Sequence, residues 1–189
     1  MDATTMEKRL LRLEAHDSIR MLVARYGVTV DDHDLQGLAG LFARQAVFRS
    51  KDGVMEARGR DQIVAQFIAR FTVLGISNHV SHDHIITLDE RDMQRAKGLV
   101  TSHAELWRNN QAYIAALRYQ DLYVLEDGQW RFGERELAFL YYLPIADYSE
   151  ALGSPLRQRA YGDQRPADFP EGLPTWRDYR PIDANKTTG

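Results

Sequence analysis

Apolar residues recur at intervals of three and four from Met6 to Val30, with Leu10, Leu13, Ile19, Leu22, Val23 and Tyr26 falling along one face. That spacing predicts an opening amphipathic helix. The segment Asp31 to Asp34 interrupts it. Asp34 is suited to cap a second short helix, LQGLAGLF, in which Leu35, Leu38, Leu41 and Phe42 share a side. AVFRSKDGVMEARG reads as a hairpin turning at KDG, and RDQIVAQFIARF as a third amphipathic helix carrying Ile63, Val64, Phe67, Ile68 and Phe71.

From His79 the period changes to two. HDHIITLDERDMQRAKGLVTSHAELWR predicts a strand, a polar turn and a long strand, and NNQAYIAALRYQDLYVLEDGQWRFGERELAFLYY two more around an EDG turn. Three helices followed by an antiparallel meander imply an α+β domain over residues 1–143, with a curved sheet over the helices and an apolar cavity between the layers. All six prolines lie in the remainder, 144–189, so this stretch is neither a regular helix nor a central strand. It carries Tyr148, Tyr161, Phe169, Trp176 and Tyr179, too many aromatics for a solvated tail. The expectation is an arm packed on the sheet, on a neighbouring subunit or at the cavity mouth, with only its final few residues disordered.

Composition narrows the function classes. The chain has 189 residues, enough for one domain with a sizeable core, and a formal net charge of -3 with both signs interspersed, which argues against a nucleic-acid partner. It has no cysteine, excluding disulfides, thiolate metal sites and cysteine nucleophiles. The N-terminus lacks an apolar leader-like core and no run reaches membrane-spanning length, so a cytoplasmic protein is expected, with no membrane association. GxGxxG, GxxxxGK[ST] and GxSxG are all missing, removing the devices of dinucleotide, P-loop and α/β-hydrolase chemistry.

The candidate chemistry lies in two places. Asp31 ends the first helix beside Val28 and Val30; burial there would raise its pKa towards an acid-base role, although Asp31 or Asp32 could equally start a turn or cap the next helix. His79 precedes the first long strand and could act as a base near neutrality, or be an ordinary strand-end polar residue. His82 and His84 are two apart and would share a face on a straight strand, but no third ligand follows at a defined spacing, so no metal is assigned. His103 shares parity with Thr101 and Glu105, and from an inward position could meet His79 or bond to those neighbours. Arg135 shares parity with Leu137 and Phe139; inside a cavity it could bind an anion or pair with a carboxylate. Tyr26, Tyr113, Tyr119 and Tyr123 could donate hydroxyls or simply pack.

The element order, with LEAHDSIRMLVARYGVTVDDHDLQGLAGLFARQAVF, GRDQIVAQF, NHVSHDHIITL and GQWRFGERELAF, resembles the SnoaL-like branch of the NTF2-like superfamily, near scytalone dehydratase, γ-hexachlorocyclohexane dehydrochlorinase and bile acid 7α-dehydratase. The resemblance spans roughly Leu10 to Leu140. It implies a cone-shaped α+β barrel, an aspartate-histidine dyad that removes HX or water without a cofactor, and a homo-oligomer, trimeric or dimeric. Asp31 and His79 fall at the dyad positions, Tyr26 matches a tyrosine five residues before the aspartate, Arg135 a pocket arginine, and His103 a second histidine. Asp83, followed by His84, replaces the asparagine that many relatives carry. The resulting expectation is a dehydratase for a hydrophobic, steroid-like or aromatic hydroxylated substrate, in a pocket enclosed by Val23, Phe42, Phe67, Leu106 and Phe139. A double-bond isomerase of the ketosteroid isomerase type, or a non-catalytic binding or scaffold subunit, are the alternatives.

Overall fold

The computed structural model describes residues 3–179. Three helices, α1 (Ala3–Asp31), α2 (Leu35–Leu41) and α3 (Arg60–Phe71), pack against six strands: β1 (Phe42–Ser50), β2 (Glu56–Arg58), β3 (Leu74–Leu88), β4 (Arg95–Arg108), β5 (Gln111–Glu126) and β6 (Gln129–Pro144). The Asp34 carboxylate accepts the Gly37 N–H at 2.8 Å, so the acidic break after α1 is the cap of α2. Ile19, Leu22, Val23 and Tyr26 are buried, whereas Leu10 and Leu13 are exposed: the amphipathic face of α1 meets the sheet only from Ala15 onward, and the first turns project beyond it.

The expected closed cone is corrected here. The sheet runs β2-β1-β6-β5-β4-β3 in order, with β2 and β3 as unpaired edges, so it is open and not a barrel. Nor is it purely antiparallel: β1 pairs with β6 in parallel, because the hairpin and α3 intervene before the meander returns to β1. β3 also begins earlier than its periodicity suggested, placing His79 within the strand and not ahead of it. Long antiparallel registers join β3 to β4, β4 to β5 and β5 to β6.

β1 stops opposite Leu137, leaving the distal half of β6 without a strand on that side. The C-terminal arm takes its place. Tyr142 exchanges main-chain bonds with Arg157 and Arg159 at 3.0 and 2.7 Å, and Phe139 N–H donates to the Asp168 carboxylate at 2.7 Å. Backbone groups that would otherwise stay unpaired are thereby satisfied. Arg157 is buried in an ion pair with Glu171 and also donates to Leu140 O, while Phe169 is buried beneath the Arg118 guanidinium, 4.3 Å from its ring. Trp176 and Tyr179 are exposed. The expectation for the final few residues falls on positions 180–189, outside the described residues.

Candidate active site

Asp31 and His79 come together between the C-terminal end of α1 and the inner face of β3. Asp31 Oδ1 lies 2.6 Å from His79 Nδ1 and accepts the Ser77 hydroxyl at 2.7 Å, while Oδ2 accepts the His79 main-chain N–H at 2.7 Å. Burial pushes the Asp31 carboxyl up, but the bonds from the His79 ring, the His79 backbone and Ser77 outweigh it and hold the group below its usual range. This reverses the expected upward shift: Asp31 is an anion. An ionised carboxylate can only accept, so Nδ1 carries a proton, and in the neutral imidazole Nε2 presents its lone pair. Nε2 has no protein partner among the described residues. The Asp31 and His79 side chains keep 19% and 8% of their exposure, enough enclosure to keep the bonds from competing with bulk water.

His79 borders a cavity lined by Tyr26 and Val30 of α1, Arg70 of α3, Ala104 and Leu106 of β4, Ala115, Leu117 and Tyr119 of β5, and Leu137, Phe139 and Tyr142 of β6. The cavity among these side chains is nearly closed, with a volume of about 10 Å³. Of the five residues expected to enclose a roomy pocket, Leu106 and Phe139 line this space; Val23, Phe42 and Phe67 belong to the packed core. The hydroxyl of Tyr26 is buried and its pKa is pushed up, so it stays protonated as a donor.

Arg135 is fully buried but does not border the cavity. Its Nε and Nη2 bind both oxygens of Asp121 at 2.9 and 2.7 Å, and its guanidinium lies 4.0–4.3 Å from the rings of Tyr26, Tyr119 and Phe132. Of the two readings open in the sequence, the carboxylate pair is the one realised. Tyr123 donates to Asp121 at 2.7 Å and lies 3.0 Å from His84 Nε2, extending the network to β3. Burial lowers the His84 pKa to about 4. Gly98 makes room for this chain, since a Cβ there would overlap the Tyr123 hydroxyl oxygen.

His103 does not meet His79. Val100, Ser102, Ala104 and Leu106 are the buried side of β4, which leaves His103 on the opposite face, 2.8 Å from His82. Nor do His82 and His84 share a face. The pairing slips between Ser81 and His84, so two residues of β3 oppose one of β4. This bulge breaks the two-residue parity, leaving His82 outside and turning His84 inward. Asp83 sits on the bulge and is exposed. Among the described residues, no three His, Asp or Glu side chains converge to hold a metal ion.

The SnoaL-like domain profile matches residues 11–136. The chain belongs to the SnoaL-like family. Solved structures of similar fold include a scytalone dehydratase candidate from Novosphingobium aromaticivorans, 22% identical over 70% of this chain and 89% of that one, with a TM-score of 0.64. Hexachlorocyclohexane dehydrochlorinase LinA-type3 from Novosphingobium barchaimii is 20% identical over 73% and 94% of the two chains, TM-score 0.65. A substituted form of Rv3472 from Mycobacterium tuberculosis, a protein of unknown function, is 26% identical over 78% and 81%, TM-score 0.60. No curated protein matches by sequence. The SnoaL-like match stops at residue 136, so the arm that completes β6 lies outside it. No described helix is long and apolar enough to cross a membrane.

Two participants escaped the sequence reading. Ser77 is two residues before His79 on the same strand, so parity alone would have placed it beside Asp31. Arg70 follows Ile63 and Phe67 at the spacing of a buried helix face, and that spacing was its signal.

Proposed function

We propose that this SnoaL-like protein is a cofactor-independent lyase that eliminates water from a hydrophobic β-hydroxy carbonyl compound, with His79 as general base. The observation that carries the reading is the 2.6 Å contact between Asp31 and His79 Nδ1, which directs the unpartnered Nε2 of an enclosed imidazole to the chemistry. Nε2 takes the proton from the carbon next to the carbonyl, and the C–H electron pair flows into an enolate. The enolate collapses to the conjugated alkene as the β-hydroxyl leaves, taking the proton back from the imidazolium and departing as water. Base and carboxylate then stand as they began. Asp31 fixes the tautomer and stabilises the imidazolium, Ser77 anchors Asp31, and Tyr26 offers a hydroxyl at the cavity wall. The dehydratase and dehydrochlorinase descriptions of the structural relatives support elimination as the reaction class.

One observation favours a second reading, a non-catalytic binding or scaffold subunit. The cavity is nearly filled by its own side chains, and a substrate needs several hundred cubic ångströms. The lyase reading therefore requires lining side chains to yield on binding. A panel of aryl β-hydroxy ketones, followed by the ultraviolet absorbance of the conjugated enone, separates the two. Turnover by the native protein and a loss of about 10²- to 10⁴-fold in His79→Ala are expected. A folded protein that turns over none of the panel, or a His79→Ala variant as active as the native chain, favours the scaffold.

A further inference from the structure

We infer that Arg70 is the oxyanion-binding residue of this cavity, donating to the substrate's carbonyl oxygen as it becomes an enolate. The inference rests on the reading of His79 as base and adds the group that receives the charge the base creates.

Arg70 lies in the last turn of α3 and shares the cavity lining with His79. Its Nε is buried and has no hydrogen-bond partner, and its Nη1 makes only a weak bond, to Met55 Sδ at 3.8 Å. Among the described residues no carboxylate lies within 4 Å of its guanidinium. Arg135, which is fully buried, is instead clamped by Asp121. Arginine stays charged in any protein setting, so Arg70 is a half-buried cation whose Nε is out of water and which has no anion beside it. Such a group costs stability unless something else recovers the loss. Its surroundings are the phenols of Tyr26, Tyr119, Tyr142 and Tyr161, which are electron-rich but uncharged. Arg108 reinforces the same end: its guanidinium lies 5.0 Å from the Tyr161 ring and donates to the Tyr142 hydroxyl at 3.4 Å.

The charges are thus separated along the cavity. Asp31 and His79 stand at the β3 wall and can take up a proton; Arg70 stands at the α3 wall with donor capacity unspent. As Nε2 removes the α-proton, the C–H pair moves into the carbon–carbon bond and the carbonyl π pair onto oxygen, where a preorganised guanidinium is worth most in a water-poor site. This points to a substrate whose carbonyl, and not only its hydroxyl, enters the cavity.

4-Nitrophenol tests the assignment without turnover, because its phenolate copies the charge and planarity of an enolate and is distinguished from the phenol by absorbance. The native protein should bind the phenolate at least about tenfold more tightly than the phenol, and Arg70→Gln should weaken phenolate binding about 10- to 100-fold while leaving phenol binding nearly unchanged, the effect expected of one charged hydrogen bond. Arg70→Lys, which keeps the charge but loses the fork, should fall between them and serves if Arg70→Gln does not fold. Equal affinity of the native protein for both forms, no binding of either, or an Arg70→Gln variant that keeps the phenolate preference would each overturn the proposal. A failed base shows as turnover that His79→Ala does not reduce, and a failed oxyanion site as a phenolate preference that Arg70→Gln does not reduce, so the two failures give different results.

Discussion

Asp31→Asn is the perturbation whose outcome follows most tightly from the geometry. The carboxylate accepts three bonds, from Ser77 and the His79 ring at Oδ1 and from the His79 main chain at Oδ2. An amide has one oxygen and one NH₂ to cover the same three donors. With its oxygen at the Oδ1 position, the NH₂ faces a main-chain N–H that cannot reverse its polarity, and leaving that donor unpaired costs about 1–3 kcal/mol. With the amide reversed, the oxygen accepts the main-chain N–H and the NH₂ faces Ser77 and His79 Nδ1. A hydroxyl can rotate, and the imidazole can move its proton from Nδ1 to Nε2. The second arrangement wins, and it disables the base by protonating the nitrogen that should take the substrate proton. Stability should fall by about 1–3 kcal/mol as charged bonds become neutral ones, and turnover by about 10²- to 10⁴-fold. Because the native carboxyl is held below 3.8, its stabilising contribution is in full force above that pH and is lost as the pH drops through the lower folded value. The stability gap between the two proteins should therefore narrow only in acid. Nitrogen-15 NMR of the labelled imidazole reads the tautomer directly. Retention of the Nδ1–H form in Asp31→Asn would refute the reasoning.

Three further outcomes follow from the surrounding network. Gly98→Ala forces a methyl against Tyr123 and should cost about 1–3 kcal/mol in chemical denaturation, with an unchanged midpoint disproving the close contact. Asp121→Ala strands the Arg135 charge in the core and should cost about 3–5 kcal/mol; a loss under 1 kcal/mol would show that the pair is not buried as described. His84 has a folded pKa of about 4 against 6.5 unfolded, so the unfolded chain binds more protons between these values and stability should decline as pH falls from 6.5 to 4. His84→Gln should flatten that decline, and a curve of the same slope in both proteins would rule His84 out as its source.

The helices and hairpins were legible in the sequence because local signals define them: the Asp34 cap, the KDG and EDG turns, and the Ile63-Phe67 spacing of α3. Asp31 and His79 were each legible as a candidate from its local setting, but their pairing only through the resemblance, since one ends a helix and the other sits 48 residues later on a strand. What stayed hidden depends on tertiary registry. One extra residue at the β3 bulge reversed the facing of His84 relative to His82, and parity counting has no means to see it. The parity count for His103 was sound, but which side of β4 faces the helices is settled by Val100, Ala104 and Leu106, not by the histidine. The parallel return of β6 onto β1, and the arm that satisfies the rest of β6, join segments far apart in sequence. Arg70 was passed over because a charged residue ending a helix ordinarily faces solvent.

The central claim is that His79 removes a carbon-bound proton, and deuterium exchange tests it most directly. An aryl β-hydroxy ketone incubated with the protein in D₂O can be followed by proton NMR at the carbon beside the carbonyl, whether or not the hydroxyl departs. The account predicts loss of that signal or of the substrate with the native protein, and rates at least 100-fold slower with His79→Ala. Equal exchange with both proteins, or no exchange from a ketone that demonstrably binds, would contradict it.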